Sequence, residues 1–115
     1  MTGTPALTAQ QRFAVRIEED GEGVAVRVVG ELDIATAPAL ESALLRALES
    51  GAASILVDLE GMSFIDSMGM RVLLWAAREC REDGKRDRLS IDCAPGRVRR
   101  TLELCDLQRS LPIVA

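Results

Sequence analysis

The chain carries one serine at a position where its hydroxyl could take part in chemistry. Ser67 lies between Asp66 and Gly69, after the apolar run 55–57 and before the apolar run 72–77. The first run is typical of a buried strand and the second of a helix, so Ser67 is predicted at the start of that helix. Unpaired N–H groups at a helix start attract an oxyanion, so a phosphate on Ser67 would be stabilised there. The alternative is that Ser67 is only the N-cap of the helix.

Composition limits the other chemistries that the chain can perform. The sequence contains no histidine, which excludes a Ser-His-Asp hydrolase, a histidine phosphorelay and a histidine-ligated zinc site. It also contains no P-loop, G-x-S-x-G or G-x-G-x-x-G motif. Cys80, Cys93 and Cys105 are spaced neither as a disulfide framework nor as metal ligands, and they are predicted to be small core residues in a reducing cytoplasm. We therefore expect no enzymatic activity, no metal and no cofactor.

The charge is distributed unevenly along the chain. The formal net charge is −4, with four basic and eleven acidic residues in 1–70 and ten basic and seven acidic residues in 71–115. A basic cluster at 97–100 is interleaved with acidic residues and lacks the aromatic side chains that stack on bases, so no nucleic acid partner is predicted. The longest apolar run, 72–77, is too short to cross a membrane, and the first ten residues do not resemble an export signal. We expect a cytoplasmic protein.

The spacing of apolar residues predicts the elements that must position Ser67. Alternation of apolar and polar residues indicates strands, and recurrence every three or four residues indicates helices. Residues 1–11 are predicted to be a flexible tail and residues 12–115 a single domain. The predicted elements, in chain order, are a hairpin over 13–28, a helix capped by Thr36 and stopped by Gly51, a strand at 55–57, a connection over 59–67, a helix over 67–82, a strand over 89–93, a helix over 98–105 and a strand over 111–114.

This order predicts an α/β fold. An initial hairpin followed by alternating strands and helices gives a mixed sheet of about five strands, in which the later strands are parallel. Three main helices would lie mainly on one side of the sheet. The loops that follow parallel strands meet at one edge, so Asp33 and Asp66 are predicted close to the Ser67 hydroxyl. Each aspartate could instead serve only to cap a helix.

The second predicted helix has more apolar surface than contact with a sheet requires. One stripe is formed by residues 70, 73, 74 and 77, and a second by Met68, Val72, Trp75 and residue 76. The second stripe either packs under a neighbouring helix or forms a docking face for a partner. Arg71, one turn after Ser67, is either a solvated surface residue or a contact for a phosphate.

The segment around Ser67 resembles the signature of STAS-domain anti-sigma factor antagonists. In that family a buried strand ending in aspartate is followed by a phrase close to Phe-x-Asp-Ser-Ser/Thr-Gly-Leu, and the matching residues here are Asp58, Phe64, Asp66, Ser67 and Gly69. Further similarity is found at 30–38, 98–107 and 111–114, so that the resemblance covers about residues 13–114. The chain departs from the pattern at Met68, Met70 and Arg71, where the family usually has Ser or Thr, Leu and Gly.

The resemblance implies a function for Ser67. In the family the matching serine is phosphorylated by an anti-sigma factor that is also a serine kinase, and the aspartate matching Asp33 lies nearby and is important for that reaction. The unphosphorylated form sequesters the anti-sigma factor and frees a sigma factor, and a phosphatase restores it. A monomer or weak dimer is expected. The alternative is a scaffold: a STAS subunit of a signalling complex or lipid transporter that is not phosphorylated.

Overall fold

A computed structural model describes residues 13–114 of the chain, apart from the side chains at positions 20 and 108. The predicted tail over 1–11 lies outside the described residues. The strands are β1 Ala14–Asp20, β2 Gly23–Leu32, β3 Ser54–Ile65 and β4 Leu89–Asp92, and the α-helices are α1 Ala37–Glu49, α2 Ser67–Glu82 and α3 Arg97–Leu104. Short 3₁₀ turns cover Arg86–Arg88 and Leu107–Arg109.

The sheet is mixed, as the sequence predicted. Strands β1 and β2 are antiparallel and are joined by a tight turn in which Gly21 has a positive φ of 64°. Strand β3 is parallel to β2, and β4 is parallel to β3, which gives the order β1-β2-β3-β4. The three predicted helices are present, so the predicted fold class is confirmed.

The fifth predicted strand is reduced to a single bridge. Ile113 forms one parallel bridge with Ile91. The Ile91 N–H donates to the Pro112 carbonyl at 2.9 Å, and the Ile91 carbonyl accepts from the Val114 N–H at 2.9 Å. Pro112 has no N–H of its own to add to a ladder. Residues 111–114 therefore lie beside β4 at the edge of the sheet but do not form a fifth strand.

Strand β3 is much longer than the sequence predicted. The connection expected over 59–67 is strand as far as Ile65, paired with a β2 that extends to Leu32. The pairing shifts register between Arg27 and Val29 and again after Gly30, where φ is 102°. These irregularities keep Met62 and Ile65 buried even though the two residues between them, Ser63 and Phe64, are both exposed and break the alternation. The prediction of a loop here was wrong because an irregular strand has no regular period.

Helices α1 and α2 cover the same face of the sheet, because they pack on it and against each other. The core between these layers is aliphatic, with Val26 and Val57 from the sheet, Leu40 and Leu44 from α1, and Leu73 from α2 all at most 1% exposed. Helix α1 ends before Gly51, which has a φ of 80°, as the sequence predicted.

An arginine from the turn before β4 binds the C-terminus of α1. Arg88 donates from Nε to the Ala52 carbonyl at 2.8 Å and from Nη2 to the Leu48 carbonyl at 3.0 Å. Because the last carbonyls of a helix lack intrahelical partners, a cation that donates to them stabilises the helix end. The contact joins the turn before β4 to α1.

The three cysteines do not share one environment. Cys80 and Cys93 are buried, as predicted, and burial raises the pKa of both thiols. Cys105 is exposed, so its predicted place in the core was wrong. Helix α3 ends at Leu104, and Asp106 takes a left-handed conformation with φ 58°, which ends the helix one residue before the predicted position.

Candidate functional site

The two strands that lead to the predicted site end side by side. Leu32 of β2 pairs with Ile65 of β3, and the N–H of Asp66 donates to the Leu32 carbonyl at 3.0 Å. Asp33 and Asp66 are the next residues of the two neighbouring parallel strands. The structure therefore brings both aspartates to the same edge of the sheet, where α2 begins at Ser67.

Asp66, and not Ser67, is the N-cap of α2. The Asp66 side chain accepts hydrogen bonds at Oδ1 from the N–H groups of Met68 at 2.9 Å and Gly69 at 3.2 Å. Its backbone is extended, with φ −113° and ψ −172°, as a cap requires. The alternative that Ser67 is the N-cap was wrong, because Ser67 is already the first helical residue, whereas the capping role considered for Asp66 is confirmed.

Ser67 is exposed at this helix start. Within residues 13–114 its hydroxyl has no hydrogen-bond partner. Unpaired N–H groups at the helix start were predicted to stabilise a phosphate. Two of them, those of Met68 and Gly69, already donate to the Asp66 carboxylate. A phosphate on Ser67 would thus be repelled by the negative charge of Asp66. Its stabilisation would have to come from other groups. Arg71, exposed one turn later on the same helix, is a suitable cation.

Asp33 shapes the turn between β2 and α1. Its Oδ1 accepts from the N–H groups of Ala35 at 3.0 Å and Thr36 at 3.1 Å. Thr36 is 4% exposed, and its hydroxyl donates to the Glu31 carbonyl at 2.8 Å. The alternative that Asp33 caps a helix was wrong, because both N–H groups belong to the turn before α1, whose N-cap is Thr36 and which has no side-chain cap. The Asp33 side chain is half-buried at the site edge.

Gly69 allows α2 to approach β2 closely. A β-carbon at Gly69 would lie 2.5 Å from Leu32 Cδ2 and 3.0 Å from Ile65 Cγ1. Both of those side chains are buried, Leu32 at 0% and Ile65 at 3% exposure, so neither can swing outward. A side chain at 69 would push the start of α2, and Ser67 with it, away from the sheet.

A groove runs between the first turns of α1 and α2, beside Ser67. It has a volume of about 290 Å³. Its lining includes all four residues that the sequence singled out for partner contact, together with residues of the β2–α1 loop and of α1. The lining residues are Ile34, Ala37, Pro38, Glu41, Met68, Arg71, Val72 and Trp75.

The second apolar stripe of α2 divides between the two predicted roles. Val72 and Ala76 are 9% and 1% exposed and belong to the core, whereas Met68 and Trp75 are only half-buried at the groove. Sequence reasoning missed Ile34, which is 70% exposed on the opposite wall. The sequence did contain a signal for this residue, since an isoleucine in a predicted loop is a large apolar side chain that can be exposed.

Asp58 has a structural role within the sheet. It lies within β3, and its Oδ2 accepts from Arg27 Nη1 at 2.6 Å, while Oδ1 accepts from the Glu60 N–H at 2.9 Å. Asp58, Glu60 and Asp92 bring carboxylate oxygens within 4.8 Å of one another. Such a trio could hold a cation, but here the Arg27 guanidinium already supplies the positive charge.

In the part of the chain that is described, no helix combines the length and the apolar character that a membrane crossing needs.

Comparison with known proteins identifies the family. Residues 14–115 match the model of the STAS domain. The chain is 32% identical over 83 residues to the anti-sigma-B factor antagonist of Staphylococcus aureus (strain NCTC 8325 / PS 47), covering 72% of this chain and 75% of that protein.

Solved structures agree with this match. The crystal structure of an anti-sigma factor antagonist from Mycobacterium paratuberculosis superposes with a TM-score of 0.79 at 27% identity, over 93% of this chain and 89% of that one. Unphosphorylated SpoIIAA, also an anti-sigma factor antagonist, has the same fold, with a TM-score of 0.67 at 22% identity over 89% of this chain and 88% of that one. By its sequence match and its fold, the chain belongs to the STAS domain family.

Proposed function

We propose that this chain is an anti-sigma factor antagonist regulated by phosphorylation of Ser67. In its unphosphorylated form it binds an anti-sigma factor that has serine kinase activity, which frees a sigma factor. Phosphorylation by that kinase ends the binding, and a phosphatase restores it. The names of the Staphylococcus aureus and Mycobacterium paratuberculosis relatives support the antagonist role. The proposed site of action is the bacterial cytoplasm.

The exposed hydroxyl of Ser67 is the observation that carries the proposal. A kinase needs an acceptor hydroxyl that is accessible and that makes no hydrogen bond on which the fold depends. Asp66 performs the capping, so the Ser67 hydroxyl can be modified without loss of a hydrogen bond within residues 13–114. SpoIIAA, whose fold this chain shares, is known in both an unphosphorylated and a phosphorylated form.

The groove beside Ser67 is the proposed docking surface for the anti-sigma factor. Met68, Val72 and Trp75 offer an apolar wall, and Ile34 offers an exposed apolar side chain across from it. Aromatic and methionine side chains are favoured in the cores of protein interfaces. Arg71 adds a cation at the rim. Asp33, Asp66 and Gly69 form the proposed environment of the phosphorylated serine.

The switch is proposed to act through charge. A phosphate adds about −1.5 to −2 charges at neutral pH. An acidic partner group about 6 Å away, at an effective dielectric constant of about 20 to 80, would then be disfavoured by about 1–5 kcal/mol. That corresponds to a loss of affinity of roughly tenfold to a few thousandfold. The adjacent Asp66 carboxylate adds to the negative potential on this surface.

Phosphate incorporation tests the modification directly. The chain is incubated with a kinase-type anti-sigma factor and ATP, and its intact mass is measured. We expect one phosphate on the wild type and on Ser63→Ala, a control that removes a neighbouring exposed hydroxyl, and none on Ser67→Ala. A phosphate on Ser67→Ala would move the site elsewhere and overturn the assignment.

Binding titrations test the switch and the docking surface. Trp75 is the single tryptophan of the chain and lines the groove, so its fluorescence reports occupancy. We expect Ser67→Ala to bind the anti-sigma factor as the wild type does, and Ser67→Asp and Met68→Ala to bind more weakly. Leu104→Ala, which truncates an exposed leucine on α3, is the control and should bind normally. Equal affinity for all four variants would overturn the model, and tight binding without any phosphate incorporation would favour the unphosphorylated scaffold.

A further inference from the structure

A second cleft lies at the opposite end of α2 from Ser67. It has a volume of about 240 Å³ and is lined by residues from the end of α2, from the turn before β4 and from the segment that closes the sheet. Arg81 follows Ser67 by fourteen residues on the same helix, which corresponds to roughly 21 Å along the helix axis. The cleft is therefore separate from the proposed phosphorylation site, and the argument for it does not depend on that site.

Three arginines line this cleft. Arg81 comes from α2, Arg86 from the first 3₁₀ turn and Arg109 from the second, so that three segments distant in sequence each contribute one guanidinium. The rest of the described lining is a serine and an apolar floor, with no acidic residue among them. These residues are Ala77, Leu89, Ser110, Leu111 and Pro112.

Among the described residues, two of these arginines make only weak contacts. Arg109 Nε lies 3.5 Å from Asp106 Oδ1, and both side chains are more than two thirds exposed, at 82% and 68%. Exposed ion pairs of this kind contribute little to stability, so Arg109 can exchange this contact for a ligand at low cost. Arg81 Nη1 donates to the Ser110 carbonyl at a long 3.5 Å. Positive charge is thus concentrated around the cleft and available to a ligand.

The wall of the cleft is fixed in place by backbone hydrogen bonds. The Leu111 N–H donates to the Leu107 carbonyl at 2.9 Å, and the Pro112 carbonyl accepts from the Ile91 N–H at 2.9 Å. Leu89 and Leu111, which form part of the floor, are only 3% and 4% exposed and belong to the core. A site whose walls are already ordered loses less entropy when a ligand binds.

We propose that this cleft binds a small organic phosphate. The planar guanidinium group donates paired hydrogen bonds that match the oxygens of phosphate, and three such groups suit a dianion. The apolar floor accommodates the carbon portion of the ligand. The volume lies below the range of about 300–1,000 Å³ that is typical for drug-sized ligands, which favours a compact phosphate ester.

Titration of the full chain with phenyl phosphate, followed by NMR, tests the proposal. We expect shifts of the backbone amides of Leu89 and Leu111 and of the Nε–H signals of Arg81, Arg86 and Arg109, at millimolar or lower ligand concentration. Inorganic phosphate should bind more weakly, because it makes no contact with the apolar floor. Succinate should also bind more weakly, because its two carboxylates do not present the oxygens of one phosphate.

Variants separate the cleft from general charge attraction. We expect Arg86→Gln and Arg109→Gln each to weaken binding of phenyl phosphate about tenfold or more, as loss of a hydrogen bond to a charged group would do. Arg78→Gln, at an exposed position on α2 that does not line the cleft, is the matched control and should bind as the wild type does. Circular dichroism checks that each variant is folded.

Three results would overturn the proposal. The first is an absence of shifts at these residues at millimolar phenyl phosphate. The second is an equal loss of affinity in Arg78→Gln and Arg86→Gln, which would indicate non-specific attraction. The third is binding of inorganic phosphate or succinate at least as tight as that of phenyl phosphate, which would exclude an organic phosphate as the preferred ligand.

Discussion

The side chain of Leu32 occupies the space that a side chain on Gly69 would need, with Leu32 Cδ2 2.5 Å from the position of a β-carbon there. This contact joins the end of β2 to the first turn of α2. It sets how closely Ser67 approaches the edge of the sheet that carries Asp33 and Asp66. Packing between two apolar positions thus fixes the location of a polar site.

The Leu32–Gly69 contact predicts a coupled loss of stability. Gly69→Val should lower the free energy of unfolding by about 2–3 kcal/mol, because neighbours that are fully buried cannot move aside. Leu32→Ala alone should cost about 2–5 kcal/mol through the cavity that it leaves. In the double variant the valine fills part of that cavity, so urea unfolding should give a total loss smaller than the sum. Strict additivity would contradict the contact.

The assignment of the N-cap to Asp66 predicts different effects for two neighbouring residues. Asp66→Ala should lower the free energy of unfolding by about 1 kcal/mol, because the N–H groups of Met68 and Gly69 lose their acceptor. Ser67→Ala should change it by less than about 0.5 kcal/mol, as for other exposed sites. Asp66→Asn, which keeps a capping oxygen, is the control. Chemical denaturation measures all three, and a larger loss for Ser67→Ala than for Asp66→Ala would refute the assignment.

The pair of Arg27 and Glu18 predicts a measurable shift in acid titration. Arg27 Nε donates to Glu18 Oε1 at 2.8 Å, and this hydrogen bond lowers the pKa of the Glu18 carboxyl below its ordinary value. A carboxyl whose pKa is lowered by folding stabilises the folded state above its ordinary pKa. That contribution is lost as the pH falls through the lowered pKa.

NMR titration of the Glu18 side chain measures this effect. Arg27→Met should raise the Glu18 pKa, because both the hydrogen bond and the nearby charge are removed. Arg16→Met is the control and should raise it less, because Arg16 Nη2 lies 3.6 Å from Glu18 Oε2 and its charge is a smaller cause of the shift. An unchanged Glu18 pKa in Arg27→Met would disprove the pairing in solution.

The cysteines are predicted to react at different rates. In the folded protein Cys105 should be alkylated first by iodoacetamide, because it is exposed, whereas Cys80 and Cys93 are buried and burial raises the pKa of their thiols. Intact mass should reveal one fast adduct, which disappears in Cys105→Ser. In denaturant all three cysteines should react. Three adducts formed at similar rates in the folded protein would be incompatible with this burial.

Local sequence predicted the fold class well because most elements here have regular periods. The alternation in the hairpin and the leucines of α1 identify which face of each element is buried. The same reasoning failed for β3 beyond Asp58, where shifts in register with β2 keep a strand extended through polar residues. It also failed at Pro112, where a strand-like apolar run forms a single bridge.

The amino-acid sequence by itself determined that a serine opens α2 after a buried strand, with aspartates beside it and an apolar stripe following it. Only the tertiary structure decided that Asp66 takes the cap, because the choice between two adjacent cap-forming residues depends on which backbone remains extended by pairing with Leu32. Only packing brought Ile34 across from Trp75, and three distant arginines around one cleft. Contacts between residues far apart in the chain have no local period, so no pattern within a single segment could have predicted them.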